Sequence, residues 1–309
     1  MADNLAGIVS RITTAMKAAD NRDLASGDKD PGIFLRKLTM EIAVGDIRLP
    51  SFPDIAARVQ KVLEDPKSAP AKVAVVVRSE AALAARILRL SNSAFLNPSG
   101  EQISDLRVAL TRLGVQLVRC TAVSFAIQQM QPGNCEPTLK SKLHDLWREG
   151  ALVAAIAYVL ARETQTANPD EALLTGLMHN IGRHYITLNM PKGGGAPSQT
   201  PTWSSAVREL HPQIAVSILQ HWKFPPAIIA AVGHQNSREA VLPIGEHGLT
   251  DVLIAATELV PGVFDREVLP DIVATVPAFA RLKLAAADCK RILSASAEQI
   301  RSLRAGLND

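Results

Sequence analysis

A chain of 309 residues, 47% of them apolar, can bury one large core or two modest ones, and a formal charge of +3 with no basic run of five or six gives no footing for a nucleic-acid-binding tail. Aromatic residues make up only 4% while alanine and leucine abound, which favours close helix packing over sheets of aromatic and β-branched pairs. Cys120, Cys135 and Cys289 are too few and too far apart for a disulfide framework or a zinc knuckle, and neither a basic-then-apolar leader nor a charge-free run of spanning length is present, so the expectation is a mostly helical cytoplasmic protein with no membrane part.

Leu5, Ile8, Val9, Ile12 and Met16 recur at helical spacing, and the polar run 21–30 after them reads as a joint between a lead-in helix and the body. The body begins at Leu49-Pro50-Ser51-Phe52-Pro53, which releases a helix from Asp54 to Glu64; Ser68 then caps a short helix with Pro70 in its first turn. From Glu80 an inner helix carries Leu83, Ile87 and Leu90, and Asn97-Pro98-Ser99-Gly100 turns the chain.

Ser104 is positioned to cap a helix from Asp105 to Leu113, Gly114 makes a break, and Val115 to Met130 resume the pattern. Two helices joined so tightly have the outline of a helix-turn-helix, with Arg107, Arg112 and Arg119 available to phosphates. Packed helices joined at a glycine are nonetheless common in any all-α domain, and without a basic face nucleic acid is not the expected partner.

A long helix follows, Leu139 to Arg162, with Leu143, Leu146, Trp147, Leu152, Val153 and Ile156 inward and Glu149-Gly150 interrupting its apolar pattern; Glu149 falls on or near the inward face. Such a glutamate either reaches solvent along its stem or serves something buried. The stripe Leu173, Leu174, Leu177, Met178 and Ile181 marks the next helix, ended by Gly182, with His179 pointing into the core or a cleft beside it. A lone histidine so placed is more often a hydrogen-bonded core residue than a metal ligand.

The glycine-rich stretch 191–197 lacks the lysine and hydroxyl of a P-loop and reads as a surface loop. His211-Pro212 opens a helix that Phe224-Pro225-Pro226 stops, the next runs from Ala227 to Val232 and ends at Gly233-His234-Gln235, and Asp251 stands in the first turn of another, where the helix dipole favours an acid. Past Pro261, helices over 271–284, disturbed at Pro277, and 285–307, with a break near Ser294, carry no chemical motif and read as packing or oligomer surface; a homodimer stays open.

In order, Glu149, His179-Asn180, His211, His234-Gln235 and Asp251 each stand at a helix end or inner face. With Leu49-Pro50-Ser51-Phe52-Pro53, Ala84-Ala85-Arg86-Ile87-Leu88-Arg89-Leu90-Ser91-Asn92-Ser93, Ala109-Leu110-Thr111-Arg112-Leu113-Gly114, Leu146-Trp147-Arg148, Gly176-Leu177-Met178-His179-Asn180-Ile181-Gly182 and Trp222-Lys223-Phe224-Pro225-Pro226, the chain resembles the HDOD family, a branch of the HD-domain superfamily, over roughly residues 46–250. The resemblance implies an all-α, HD-superfamily-like helical domain preceded by an α-helical N-terminal bundle: a helix and linker over 1–45, helical and HD-like parts over 46–135 and 136–250, and C-terminal helices over 251–309 packed on the latter.

Catalytic members of the superfamily hold a divalent metal with one histidine, an adjacent His-Asp pair and a later aspartate, and use it to activate water against a phosphoester. Here Glu149 takes the place of the first histidine, Asn180 that of the paired aspartate, and Gln235 that of the second ring in a two-histidine variant. A carboxylate neutralises the cation, whereas an amide oxygen is neutral and a weak ligand, so the change costs affinity and removes a group that would share a metal-bound water.

Three expectations follow, two from the resemblance and these departures and one from the helix-turn-helix outline. The first is a non-catalytic signalling protein that contacts other signalling proteins, its vestigial site comprising Glu149, His179, Asn180 and Asp251, with no cofactor assigned. The second is a phosphohydrolase for a nucleotide or cyclic dinucleotide, in which Glu149, His179 and Asp251 hold iron, manganese or zinc weakly and His211, His234 and Gln235 serve an anion or a second metal. The third is a DNA-binding regulator acting through Arg107, Arg112 and Arg119.

Overall fold

The computed structural model describes residues 31–44, 47–63, 70–93, 96–97, 99–129, 136–190, 201–237 and 247–308. The helix expected over 4–19, the joint over 21–30, the cap Ser68 and the loop over 191–197 lie outside these residues.

Among the described residues all regular structure is helical, as alanine- and leucine-rich sequence dictates: α1 (Pro31–Val44), α2 (Asp54–Leu63), α3 (Pro70–Arg78), α4 (Ala81–Ser91), α5 (Leu106–Gln129), α6 (Pro137–Thr164), α7 (Pro169–Met178), α8 (Ile181–Asn189), α9 (Pro201–His221), α10 (Pro226–Gly233), α11 (His247–Glu258), α12 (Val260–Phe264), α13 (Leu269–Thr275), α14 (Pro277–Arg281), α15 (Ala286–Ala295) and α16 (Ala297–Asn308). The chain divides into two compact units, one formed by Met1–Pro50 with His179–Asn236 and the other by Ser51–Met178 with Ser237–Asp309.

The larger unit is built on α6, which packs along α7 and also meets α11 and α16. Its middle, Ala151 to Ala157, is buried on every side, and the long helix expected over 139–162 runs continuously through Glu149 and Gly150, where only the apolar pattern is interrupted. At Gly176 of α7 a Cβ would come within 2.5 Å of the Cα of Ala154, so only glycine lets the two helices approach this closely. The carbonyl of Leu307, left without an intrahelical partner at the end of α16, accepts from Trp147 Nε1 at 3.2 Å, Ser124 Oγ at 3.3 Å and Arg86 Nη1 at 3.4 Å, which docks α16 onto three helices.

In α5 the expected break is real: Gly114 adopts φ 73° and ψ 166°, open to glycine and closed to most other residues. The cap of its first half is Asp105, whose carboxylate accepts from the Arg107 N–H at 2.7 Å, and not Ser104. This helix is long and apolar enough to cross a membrane by composition, but most of its apolar window is buried and Gly114 breaks it, the marks of a core helix. Toward the C-terminus Pro277 divides the expected helix into α13 and α14, and the later break falls at Ser296.

The smaller unit joins α1 to α8, α9 and α10, with α1 and α8 both packed on α9. Leu35, Leu38 and Ile42 form the buried stripe of α1, a helix not singled out from the sequence. Tyr185 donates to the Arg48 carbonyl at 3.0 Å and Trp222 Nε1 to that of Pro50 at 2.8 Å, so the segment after α1 is tied down by side chains of α8 and the end of α9.

Candidate functional site

In the smaller unit, His179 and Asn180 form the turn between α7 and α8 and do not belong to a helix that Gly182 terminates. Gly182 lies inside α8, and the reason for a glycine is steric: a Cβ there would sit 1.9 Å from the carbonyl oxygen of His211. The first turn of α8 therefore rests directly on the backbone of α9 at His211.

His211-Pro212 is not a helix start either, because α9 begins at Pro201 and carries Pro212 in its interior. A proline there offers no N–H to the carbonyl four residues back, that of Arg208. The side-chain amide of Asn236 donates to this carbonyl instead, which lets the helix continue past the proline and keeps His211 on its buried face.

His179, Asn180 and His211 are each no more than 2% exposed. Gln235, buried just after α10, donates through Nε2 to the carbonyls of His179 at 3.1 Å and Val232 at 2.9 Å, and His184 Nδ1–H donates to the Asn180 carbonyl at 3.0 Å. These bonds fix the backbone of the turn. Asn180 stands at the N-cap of α8 but caps nothing, and neither its Oδ1 nor its Nδ2 has a hydrogen-bond partner, nor has Nδ1 of His211. His234 is half-buried and ends α10, its N–H bonded to the Ala230 carbonyl at 3.0 Å.

Burial holds the His211 imidazole well below its usual range, and the charges of Arg183, His179 and Arg208 push the same way. His211 is thus neutral near pH 7 in a basic neighbourhood.

The remaining candidates, Glu149 and Asp251, belong to the larger unit. Glu149 is half-buried on α6. Asp251 is fully buried in the second turn of α11 and not its first, and what faces its charge is Arg281 of α14, whose Nη2 lies 2.6 Å from Oδ1 and whose Nε lies 2.9 Å from both oxygens. The carboxylate in turn raises the Arg281 pKa further through these hydrogen bonds. Arg281 carried no signal in the sequence: it sits 30 residues from its partner in a short helix without a motif.

Of the arginines weighed for DNA, Arg107 pairs with Asp105 at 2.9 Å and Arg112 donates to Asn97 Oδ1 at 2.5 Å, so two of the three are engaged within the fold.

The donor set does not fit the superfamily's divalent cation. Asn180 brings an uncharged amide, Asp251 has both oxygens turned to a guanidinium, and among the described residues no three His, Cys, Asp or Glu side chains converge in a way that could hold a metal ion.

A Treponema pallidum protein, uncharacterised by its own name, is 22% identical over 213 residues, which cover 65% of this chain and 40% of that protein; the chain thus matches less than half of this relative's length. Among solved structures, one from Shewanella amazonensis named as a candidate metal-dependent phosphohydrolase superposes with a TM-score of 0.69 at 23% identity, over 90% of this chain and 99% of that one. Another, named as a candidate signal transduction protein of Marinobacter aquaeolei, does so with a TM-score of 0.59 at 18% identity, over 99% of this chain and 67% of that one. At such identities the likeness is one of fold. The sequence pattern of the HDOD domain matches residues 49–238, more than half of the chain, and the protein belongs to the HDOD family.

Proposed function

We propose that this protein is a non-catalytic regulatory module of bacterial signal transduction, working in the cytoplasm through contacts with other signalling proteins. The observation that carries the reading is the loss of both acids the superfamily's metal requires: one is replaced by the amide of Asn180, and the other, Asp251, is neutralised by Arg281. Without the carboxylates at these two positions the cation loses hard ligands and the group that would share its activated water. The Marinobacter relative's name, a signal transduction protein, agrees with this role.

The second reading is a phosphohydrolase acting on a nucleotide or cyclic dinucleotide, and it is favoured by the Shewanella relative's name and by the presence of Glu149, His179 and Asp251, three side chains of metal-ligand type. It requires Arg281 to release Asp251, which exposes a buried carboxylate until a metal replaces the guanidinium. Metal analysis of the purified protein decides between them. Substoichiometric iron, manganese and zinc, unaffected by His179→Ala, is the result expected; stoichiometric metal lost in that variant contradicts the regulatory reading.

A further inference from the structure

A primary amide buried without hydrogen-bond partners is costly, because it gives up its bonds to water and gains none in return. Asn180 leaves both its oxygen and its nitrogen in that condition at 1% exposure, and His211, 2% exposed, leaves Nδ1 so. The two belong to elements in direct contact, since the first turn of α8 rests on the His211 carbonyl. Three unmet polar atoms in one small region point to a ligand that both donates and accepts hydrogen bonds.

The sign of the surroundings narrows its chemistry. Arg183, in the first turn of α8, and Arg208, one turn before His211 on α9, act on the His211 ring with the same sign as His179, and the N-terminus of α8 adds the positive end of a helix dipole. We propose that the smaller unit binds inorganic phosphate between Asn180 at the head of α8 and His211 on α9. Phosphate at neutral pH carries P–O⁻ oxygens, which accept from the amide N–H and from basic side chains, and a P–OH, which donates to the amide oxygen. Sulfate has the same shape and no proton to give. The inference deepens the regulatory reading and rests on it, because a cation bound at these residues would take the anion as its own ligand.

The test is the melting temperature of the full-length protein after exhaustive chelation, titrated with sodium phosphate, sulfate or chloride at equal ionic strength, for the native chain, Asn180→Leu and Arg208→Gln. Phosphate is expected to raise the native melting temperature beyond both other salts, with a dissociation constant that rises roughly tenfold in Asn180→Leu, as loss of a charge-assisted hydrogen bond requires. Arg208→Gln, at an exposed position, should weaken binding severalfold and keeps the test alive if Asn180→Leu does not fold. Adenosine monophosphate separates the sources: no effect means a site for the free ion, and binding as tight as phosphate assigns it to the phosphoryl end of a larger molecule. Phosphate acting no more strongly than sulfate or chloride, or equally on all three proteins, overturns the proposal alone. Phosphate binding seen only before chelation overturns it together with the regulatory reading.

Discussion

Arg281 meets Asp251 side-on, with Nη2 2.6 Å from one carboxylate oxygen and Nε 2.9 Å from both, and it occupies the buried acid with a cation that belongs to the chain itself. The pair also ties α14 to α11.

Removing the arginine alone strands a buried carboxylate, so Arg281→Met should destabilise the larger unit by about 3–5 kcal/mol, the range for breaking a buried ion pair. Asp251→Leu combined with Arg281→Met should recover much of that loss, because an apolar pair needs no charge compensation. Urea denaturation of the single and double variants measures both; an additive double variant would mean that the two side chains do not act as a pair.

His211 supplies a pH dependence. Its folded pKa lies below the unfolded value of about 6.5, so the unfolded chain binds the extra proton first. The stability this group contributes is fully present above pH 6.5 and is lost as pH falls below it, at up to about 1.4 kcal/mol per pH unit until the folded pKa is reached. Between pH 7 and pH 5.5 the native protein should lose more stability than His211→Gln, as read by chemical denaturation at each pH. Parallel profiles would contradict a depressed His211.

Glycine substitutions should divide by position. Gly182→Ala forces a Cβ to 1.9 Å from the His211 carbonyl and Gly176→Ala to 2.5 Å from Ala154 Cα, backbone clashes that should cost at least about 2 kcal/mol each. Gly150→Ala meets nothing nearer than the Leu177 carbonyl at 3.8 Å and should stabilise α6 by about 0.5–1 kcal/mol through helix propensity. Thermal denaturation of the three variants gives the comparison.

Asn236 should matter although it is exposed. Asn236→Ala leaves the Arg208 carbonyl, already deprived of its helical donor by Pro212, with water alone, and a loss of about 1 kcal/mol is expected. In a Pro212→Ala background the backbone N–H returns and the same change should cost nearly nothing, which a double-mutant cycle measures.

Elements governed by local rules were legible in the residues. The α-helical class, the break at Gly114, the turn that Gly100 closes and the stop at Phe224–Pro226 follow from periodicity, positive φ and proline geometry, and the family could be recognised from ordered motifs. Errors arose where a partner distant in sequence decides. Gly182 looks like a terminator but is glycine because α9 presses on it, and Pro212 looks like a first-turn residue but sits mid-helix because Asn236 accommodates it. Arg281 was invisible for the same reason: nothing near it in sequence announces a carboxylate 30 residues earlier.

With an amide at 180 and an arginine-bound acid at 251, the proposed regulatory protein should have no phosphoesterase activity. The most direct measurement is hydrolysis of bis-p-nitrophenyl phosphate and of a cyclic dinucleotide by the native protein supplied with manganese or ferrous iron, beside His179→Ala and Asp251→Asn. Equal, background-level rates for all three proteins are the expected result. Turnover by the native protein that disappears in both variants would contradict it.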